Sequence, residues 1–546
     1  MSRRHGRIHQ INMVIYRWVR PHVDIFLKMQ QPKVWLLALI AGISGALVGI
    51  GFRTLIGMFQ IFWAGTSSER FLLSLSTLPW WVVVVAPTFG GLLVGTILHF
   101  WRPLGRAGGV ADVIEARAHS SKHLNLKNAT IGTLISAITL GFGGSAGREG
   151  PVVFYAAAVS KALFRFFELP PSSRKTMLAC GVAAAISASF NAPIAGVLFA
   201  HEVILAHFAM SAFVPLVIAA VVAAVISRMW FGDVPAFIVP DFTLTSYWEV
   251  PAFALLGVTC ALVAILFQSS LIGTDWISRH LKMPIMMRPI LGGFLVGLIA
   301  LLFPQVLGVG YEATDSAIAG SLSISLMLAL IVAKTIATAI TISSRMGGGV
   351  FSPALYLGAM TGGAFGIMAL AVFPDAVSSS SLYAIIGMGA VAAAVLGAPI
   401  STVVMIFELT GGFTFSIALL IAVSISTGLS QLAMGRSFFY WQLFTRGIML
   451  EEGPHQYFAK QIRVRDIMAK FKESDEIPEF DIMTSKAWLR AGDNLESALK
   501  AFESSGKSRL IVLEGGERTP IGWLYHVDAL SNYNKALVEQ SKEEHL

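Results

Sequence analysis

"GFGGSAGREGPVVF", residues 141–154, sets an arginine beside a glutamate inside an apolar stretch, among glycines and just ahead of Pro151. Its surroundings make that pair costly. Of 546 residues, 55% are hydrophobic and only 13% charged, whereas a soluble domain is about a quarter charged. Long apolar runs recur at 34–51, 81–98, 176–200, 212–227, 252–268, 289–303, 322–342, 382–407 and 415–434. Some reach the roughly 20 residues that span hydrocarbon, and others are shorter or broken by Gly and Pro. The alternation of a β-barrel is absent, so such segments satisfy their backbone groups only as helices. The expected fold class is an all-α polytopic membrane protein of many tilted, partly discontinuous helices.

Charge sets the expected orientation. Residues 1–33 carry Arg3, Arg4, Arg7, Arg17, Arg20, Lys28 and Lys33 against Asp24, a basic segment that belongs in the cytoplasm. The net charge of +8 is then mostly topology, and nucleic acid is not an expected partner. The membrane region runs over 34–446. Beyond Arg446 the chain turns polar, and 460–535 reads as a small cytoplasmic α/β domain. There "NLESALKAFESSGKS" puts Leu495, Leu499 and Phe502 on one helical face, and "RLIVLE" with "IGWLYHVDAL" gives strand, turn, strand and helix. That order after "VRDIM" resembles a CBS domain. Cys180 and Cys260 lie in apolar segments and read as packed thiols, not a disulfide.

The membrane region contains a repeat. "NAPIAGVLFAHEV" (191–203) aligns with "GAPISTVVMIFEL" (397–409), matching Glu202 with Glu408. Upstream of each copy sits a Gly-rich stretch ending in proline, "GREGP" (147–151) and "GGVFSP" (348–353). Two agreements in the same order indicate duplicated halves, about 34–235 and 250–446. Gly/Pro-broken segments at corresponding places in two halves point to a binding site near the bilayer midplane. Inversion of the halves needs an odd number of spans in each, a count the sequence leaves open.

A helix that starts inside the membrane exposes unpaired N–H groups and the positive end of its dipole. Glycine lets an anion approach the backbone, and proline fits the first turn. Taken singly, such glycines serve helix packing. The matched pair, one copy with a carboxylate inserted, favours an anion site. Glu149 then gains a purpose: at a helix start it takes the place an external anion would want, and protonation displaces it. Arg148 either pairs with a nearby acid or faces an aqueous vestibule.

"GREGP" followed by "GGVFSP" and the two Ala-Pro helices resembles the CLC family of chloride channels and chloride/proton exchangers, over roughly residues 35–450. The resemblance implies a homodimer in the lipid bilayer, each subunit with its own pore and inverted halves. It makes Glu149 the external gating glutamate and has the amides of Val350 and Phe351 hold the central chloride, with Gly349, Arg148 and Gly150 beside them. The family's "G-S-G-I-P" aligns with "AGGVA" (107–111), so Gly108 stands where a chloride-coordinating serine is expected, followed by Gly109 and Val110. Introducing serine at 108 is accordingly expected to sharpen chloride preference. The family's central tyrosine aligns with Phe439, and Tyr440 follows one residue later. Exchangers usually carry two glutamates where this chain has Glu202-Val203, so the internal proton acid is missing at Val203. That absence tilts the expectation towards passive chloride conduction through a glutamate-gated pore. Proton-coupled exchange is the alternative, and another small anion such as nitrate or fluoride a distant one. If protons move, Glu149 serves the outer half, and Glu202 or His201 is what remains for the inner half.

Other classes fit less well. "HEVILAH" (201–207) spaces its histidines six apart, not the four of zinc proteases, and no metal, cofactor or enzymatic activity is expected. His201 reads as a polar residue facing a water-filled vestibule, and Glu202 and Glu408 as structural, bonded to backbone. In "GWLYHVD" (522–528) Tyr525 stands at the hydroxyl position of the CBS ribose motif, so dimerisation or regulation is a safer expectation there than adenine-nucleotide binding. A transporter of organic solutes would need more polar side chains at mid-membrane. The expected location is a prokaryotic inner membrane, with both termini in the cytoplasm.

Overall fold

The computed structural model describes residues 30–101, 106–118, 123–233, 237, 249–374, 377–448, 462–471, 488–514 and 519–545. Most of the basic segment 1–33 and parts of 460–535 therefore lie outside the described residues. Two compact units emerge, Met1–Leu205 with Ala212–Arg446, and Ala206–Ser211 with Gly447–Leu546.

Among the described residues, seven helices are long and apolar enough to cross a membrane: Gln31–Ala64, Trp80–Trp101, Met210–Phe231, Val250–His280, Ile324–Ser343, Phe351–Val372 and Ser416–Phe444. Shorter apolar helices lie between them, Pro193–Leu205, Met287–Leu302, Ser380–Leu396 and Pro399–Thr410. Their breaks follow from local chemistry. Helix Pro171–Phe190 ends at Asn191 (φ 58°) and Ser380–Leu396 at Gly397 (φ 66°), both left-handed. Asn and Gly are the residues that tolerate that conformation. The chain then restarts as Pro193–Phe199 and Pro399–Thr410, each with proline in the first turn.

A further repeat fixes the relation between the halves. "PTFGGLLVG" (87–95) matches "PILGGFLVG" (289–297), and the helices that carry them pack on each other. A side chain on Gly91 would run into the Pro289 carbonyl, and one on Gly293 into the Pro87 carbonyl. Gly95 faces Met286 while Gly297 faces Val84. Rising numbers on one helix meet falling numbers on the other, so the pair is antiparallel. Equivalent helices that meet symmetrically and antiparallel are related by a two-fold axis perpendicular to both, in the plane of the membrane they cross. The halves are inverted. Small residues at such a crossing let backbones approach, which drives helix association where lipid supplies no hydrophobic gain.

The second unit carries β1 (Ala469–Lys470), β2 (Trp488–Arg490), β3 (Arg509–Leu513) and β4 (Pro520–Tyr525) in the order β1-β4-β3-β2, with β2 and β3 parallel and the other pairs antiparallel. Helices Leu495–Ser505 and His526–His545 complete it. Leu495 and Phe502 are buried with Leu510, Val512 and Leu524, and Leu499 packs against them, as their spacing predicts. Strands β1 and β2 escape the sequence reading because two or three residues are too few to show alternation. Gly522 in β4 leaves room for the Ala469 carbonyl, so the glycine of "GWLYHVD" serves strand pairing.

Candidate functional site

The two Gly-rich stretches meet. Gly147 N–H donates to the Gly349 carbonyl (2.7 Å), and Gly349 N–H to the Gly147 carbonyl (2.6 Å). Two residues beyond each glycine a helix begins, Glu149–Phe166 and Phe351–Val372. Neither cap, Arg148 or Val350, supplies a side-chain hydrogen bond to its helix. Pro151 and Pro353 sit at the third position of each first turn, where no N–H is required. A side chain on Gly349 would come within 3.0 Å of the Gly150 nitrogen, so glycine is what permits the approach. Two positive helix ends, one from each half, thus converge. The Phe351 ring packs with Phe190 and Phe199 at centroid distances of 4.9 and 6.0 Å, which leaves this start to offer its backbone.

Glu149 lies at that convergence, 1% exposed, and accepts a hydrogen bond from the Ser352 hydroxyl of the opposite half. Arg148 realises both sequence alternatives. Its Nη1 donates to the two carboxylate oxygens of Glu69 at 2.5 and 2.7 Å, and its Nη2 to the Ser189 carbonyl at 2.7 Å. It also lines a cavity of about 180 Å³ with Arg53, Glu69, Arg70, Asn191 and Tyr311. Arg70 is paired with Asp315 (2.7 Å), while Arg53 and Arg148 share the single carboxylate of Glu69, so the mouth keeps one net positive charge, which favours anions there. Lys334, fully buried, donates to the Val306 and Gly308 carbonyls at 2.9 Å each and so holds the loop that delivers Tyr311 to the cavity wall.

Helix Val110–Ala118 packs against Glu149–Phe166 and against Phe438–Phe444. Its start differs from the expected donor. The Gly109 N–H is taken by Asp112 Oδ2 at 2.9 Å, while Asp112 Oδ1 accepts from Arg106 at 2.7 Å and Arg446 at 3.2 Å. Gly108 faces the Phe154 ring, whose Cδ1 and Cζ would lie 2.5 Å from a β-carbon at 108. The expectation that Gly108→Ser alone sharpens selectivity is therefore corrected: the place of the serine is filled. Phe439 is buried at 5% exposure, and Tyr440, next along the same helix, is half-buried.

Glu202 and Glu408 are bonded to backbone at equivalent places in the two halves. Glu202 accepts from the Ile400 and Ser401 amides at 3.0 and 2.8 Å, and Glu408 from those of Ile194 and Ala195 at 3.0 and 2.7 Å. Each carboxylate caps the broken helix of the other half, where orphan amides need an acceptor. The segment Ala200–Leu205 is a π-helix, a rare form that often marks functional positions. Val203 is buried at 5% exposure. His201 is 2% exposed with its ring stacked over Phe213 (centroids 6.5 Å apart), so it does not face a water-filled vestibule.

Sequence reasoning missed Glu69, Asp112, Phe154 and Ser352. Ser352 alone had a local signal, since it stands beside Pro353 where Gly150 stands beside Pro151. Glu69 is brought to Arg148 only by the fold.

An inverted duplication with two glycine-bridged helix starts and a buried carboxylate between them defines an anion pathway through a membrane. Residues 90–431 match the family model described as voltage gated chloride channel, and the chain belongs to that family. It is a membrane protein of a chloride-transporting family. The ClcB-like chloride channel protein of Ralstonia nicotianae is 32% identical over 71% of this chain and 91% of its own. The H(+)/Cl(-) exchange transporter ClcA of Cronobacter sakazakii is 27% identical over 78% of this chain and 91% of its own. The fold matches that of a slow cyanobacterial Cl-/H+ antiporter with TM-score 0.68 and 22% identity, covering 76% of this chain and 98% of that one.

Proposed function

We propose that this protein exchanges chloride for protons across a membrane, with Glu149 as the group for which the two ions compete. The observation that carries the reading is the burial of one carboxylate where two helix starts of opposite halves converge. A chloride at that point must displace a charged Glu149, and a proton on Glu149 removes the competitor. Occupancy by one ion thus depends on the other, which is what exchange requires. The relatives named as exchangers, ClcA among them, support this alternative over the passive conduction favoured from Val203. Val350 and Phe351 supply the central amides, with Gly349, Arg148 and Gly150 around them, and Phe439 with Tyr440 closes the opposite end. Glu202 is bonded to backbone through both oxygens and carries no proton in this reading. The inner proton leg then runs along water.

The passive reading retains one specific observation in its favour, the buried apolar Val203 where an acid would stand. A homodimer in a prokaryotic inner membrane, both termini cytoplasmic, and a regulatory or dimerising role for 460–535 complete the proposal. Radiochloride uptake into vesicles that hold the purified protein tests it first. Uptake driven by trapped chloride and competed by external chloride is expected; vesicles no more permeable than protein-free ones would overturn it.

A further inference from the structure

We infer that Phe154 is a selectivity-determining residue, and that its ring, in place of a hydroxyl at 108, forms the wall of the anion pathway at the start of helix Val110–Ala118. The inference rests on the anion-pathway reading above. Three observations carry it. The Cδ1, Cε1 and Cζ atoms of Phe154 lie where a side chain on residue 108 would begin, so glycine at 108 and phenylalanine at 154 are one paired solution. Phe154 is 1% exposed and sits on the helix that begins at Glu149, which ties it to the gate. The neighbouring Gly109 amide is already bonded to Asp112. Around Gly109, meanwhile, a β-carbon would meet nothing within 4 Å, so open space adjoins this wall.

An anion that reaches this place meets an aromatic ring, which offers no hydroxyl or amide donor. It loses water without gaining a hydroxyl donor. The cost of losing water is largest for small, strongly hydrated anions. The pathway therefore favours large, weakly hydrated anions such as thiocyanate and nitrate over chloride, and disfavours fluoride most.

Anion-exchange flux in vesicles, measured in turn with thiocyanate, nitrate, chloride and fluoride, tests this on the parent and three variants. The parent should pass nitrate and thiocyanate at least as fast as chloride. Phe154→Ala should lower the nitrate-to-chloride ratio by several-fold. Gly108→Ser alone should lower flux at least about tenfold or fail to yield a folded protein by size-exclusion chromatography. The double variant Gly108→Ser/Phe154→Ala should fold again and raise chloride over nitrate by about tenfold, the worth of a hydrogen bond to a charged group. If Gly108→Ser folds and transports like the parent, or if Phe154→Ala and the double variant keep parental anion ratios, the inference is overturned while the anion pathway stands. A parent that passes no anion overturns both.

Discussion

Glu149, the first residue of a helix in one half, accepts a hydrogen bond from Ser352, the second residue of the matching helix in the other half. The contact crosses the two-fold axis that relates the halves, yet it is not symmetric, because Phe351 stands where Glu149 stands in the repeat. One carboxylate therefore serves a site built by two helix starts. A symmetric pair of acids would have placed two like charges at one point and raised the cost of ionising either.

Neutralising that carboxylate should leave an open path. In Glu149→Gln, chloride flux is expected to match or exceed that of the parent and to lose its dependence on external pH. In the parent, flux should rise as external pH falls, because protonation removes the charge that competes with chloride. A titration of flux against external pH reads both. Loss of all flux in a folded Glu149→Gln would assign Glu149 to structure.

Glu202 and Glu408 cap each other's half, so their removal should be equivalent. Glu202→Ala and Glu408→Ala each leave two backbone amides without an acceptor, a loss of about 1–3 kcal/mol apiece. Thermal unfolding of the detergent-solubilised protein should fall by similar amounts in the two variants. A large effect on proton movement in Glu202→Ala, with unchanged stability, would give Glu202 a transport role.

Arg148 depends on Glu69. Glu69→Gln strips a buried guanidinium of its paired charge, and breaking a buried pair from one side costs about 3–5 kcal/mol. Discounted for a mouth that opens to water, about 1–3 kcal/mol of stability should be lost. Flux should persist but become more sensitive to ionic strength, since Arg53 and Arg148 would both line the cavity without the carboxylate they share. Unchanged melting and salt dependence would contradict the pairing.

Close packing at the axis is the least forgiving feature. Gly91→Val and Gly293→Val each push a branched side chain into a backbone carbonyl of the partner helix, Pro289 or Pro87. Both should abolish the folded protein, as judged by size-exclusion chromatography and protease resistance. A folded Gly91→Val would mean that the antiparallel pair is looser than described.

Much of this was legible in the sequence because membrane helices announce themselves by apolar runs, and broken ones by Gly and Pro. "NAP" and "GAP" located the helix restarts, and "GREGP" with "GGVFSP" marked the two helix starts that meet. Inversion was not legible from duplication, although the "GGxxVG" match at Gly90–Gly95 and Gly292–Gly297 held the information. Its meaning emerges only when the two helices are seen to run antiparallel. The serine position illustrates the other limit. Alignment showed that Gly108 lacks a hydroxyl, but only packing showed that Phe154 fills the gap. Partners brought together across the chain, such as Glu69 with Arg148, leave no local pattern.

Proton movement driven by chloride alone tests the central claim most directly. Vesicles holding the protein are loaded with high chloride, placed in low chloride with no initial pH difference, and the external pH is followed while a potassium ionophore clamps the voltage at zero. Exchange predicts that chloride efflux drives protons into the vesicles, seen as external alkalinisation that stops in Glu149→Gln. Chloride efflux at an equal or greater rate with no change in external pH would contradict it and return the protein to passive conduction.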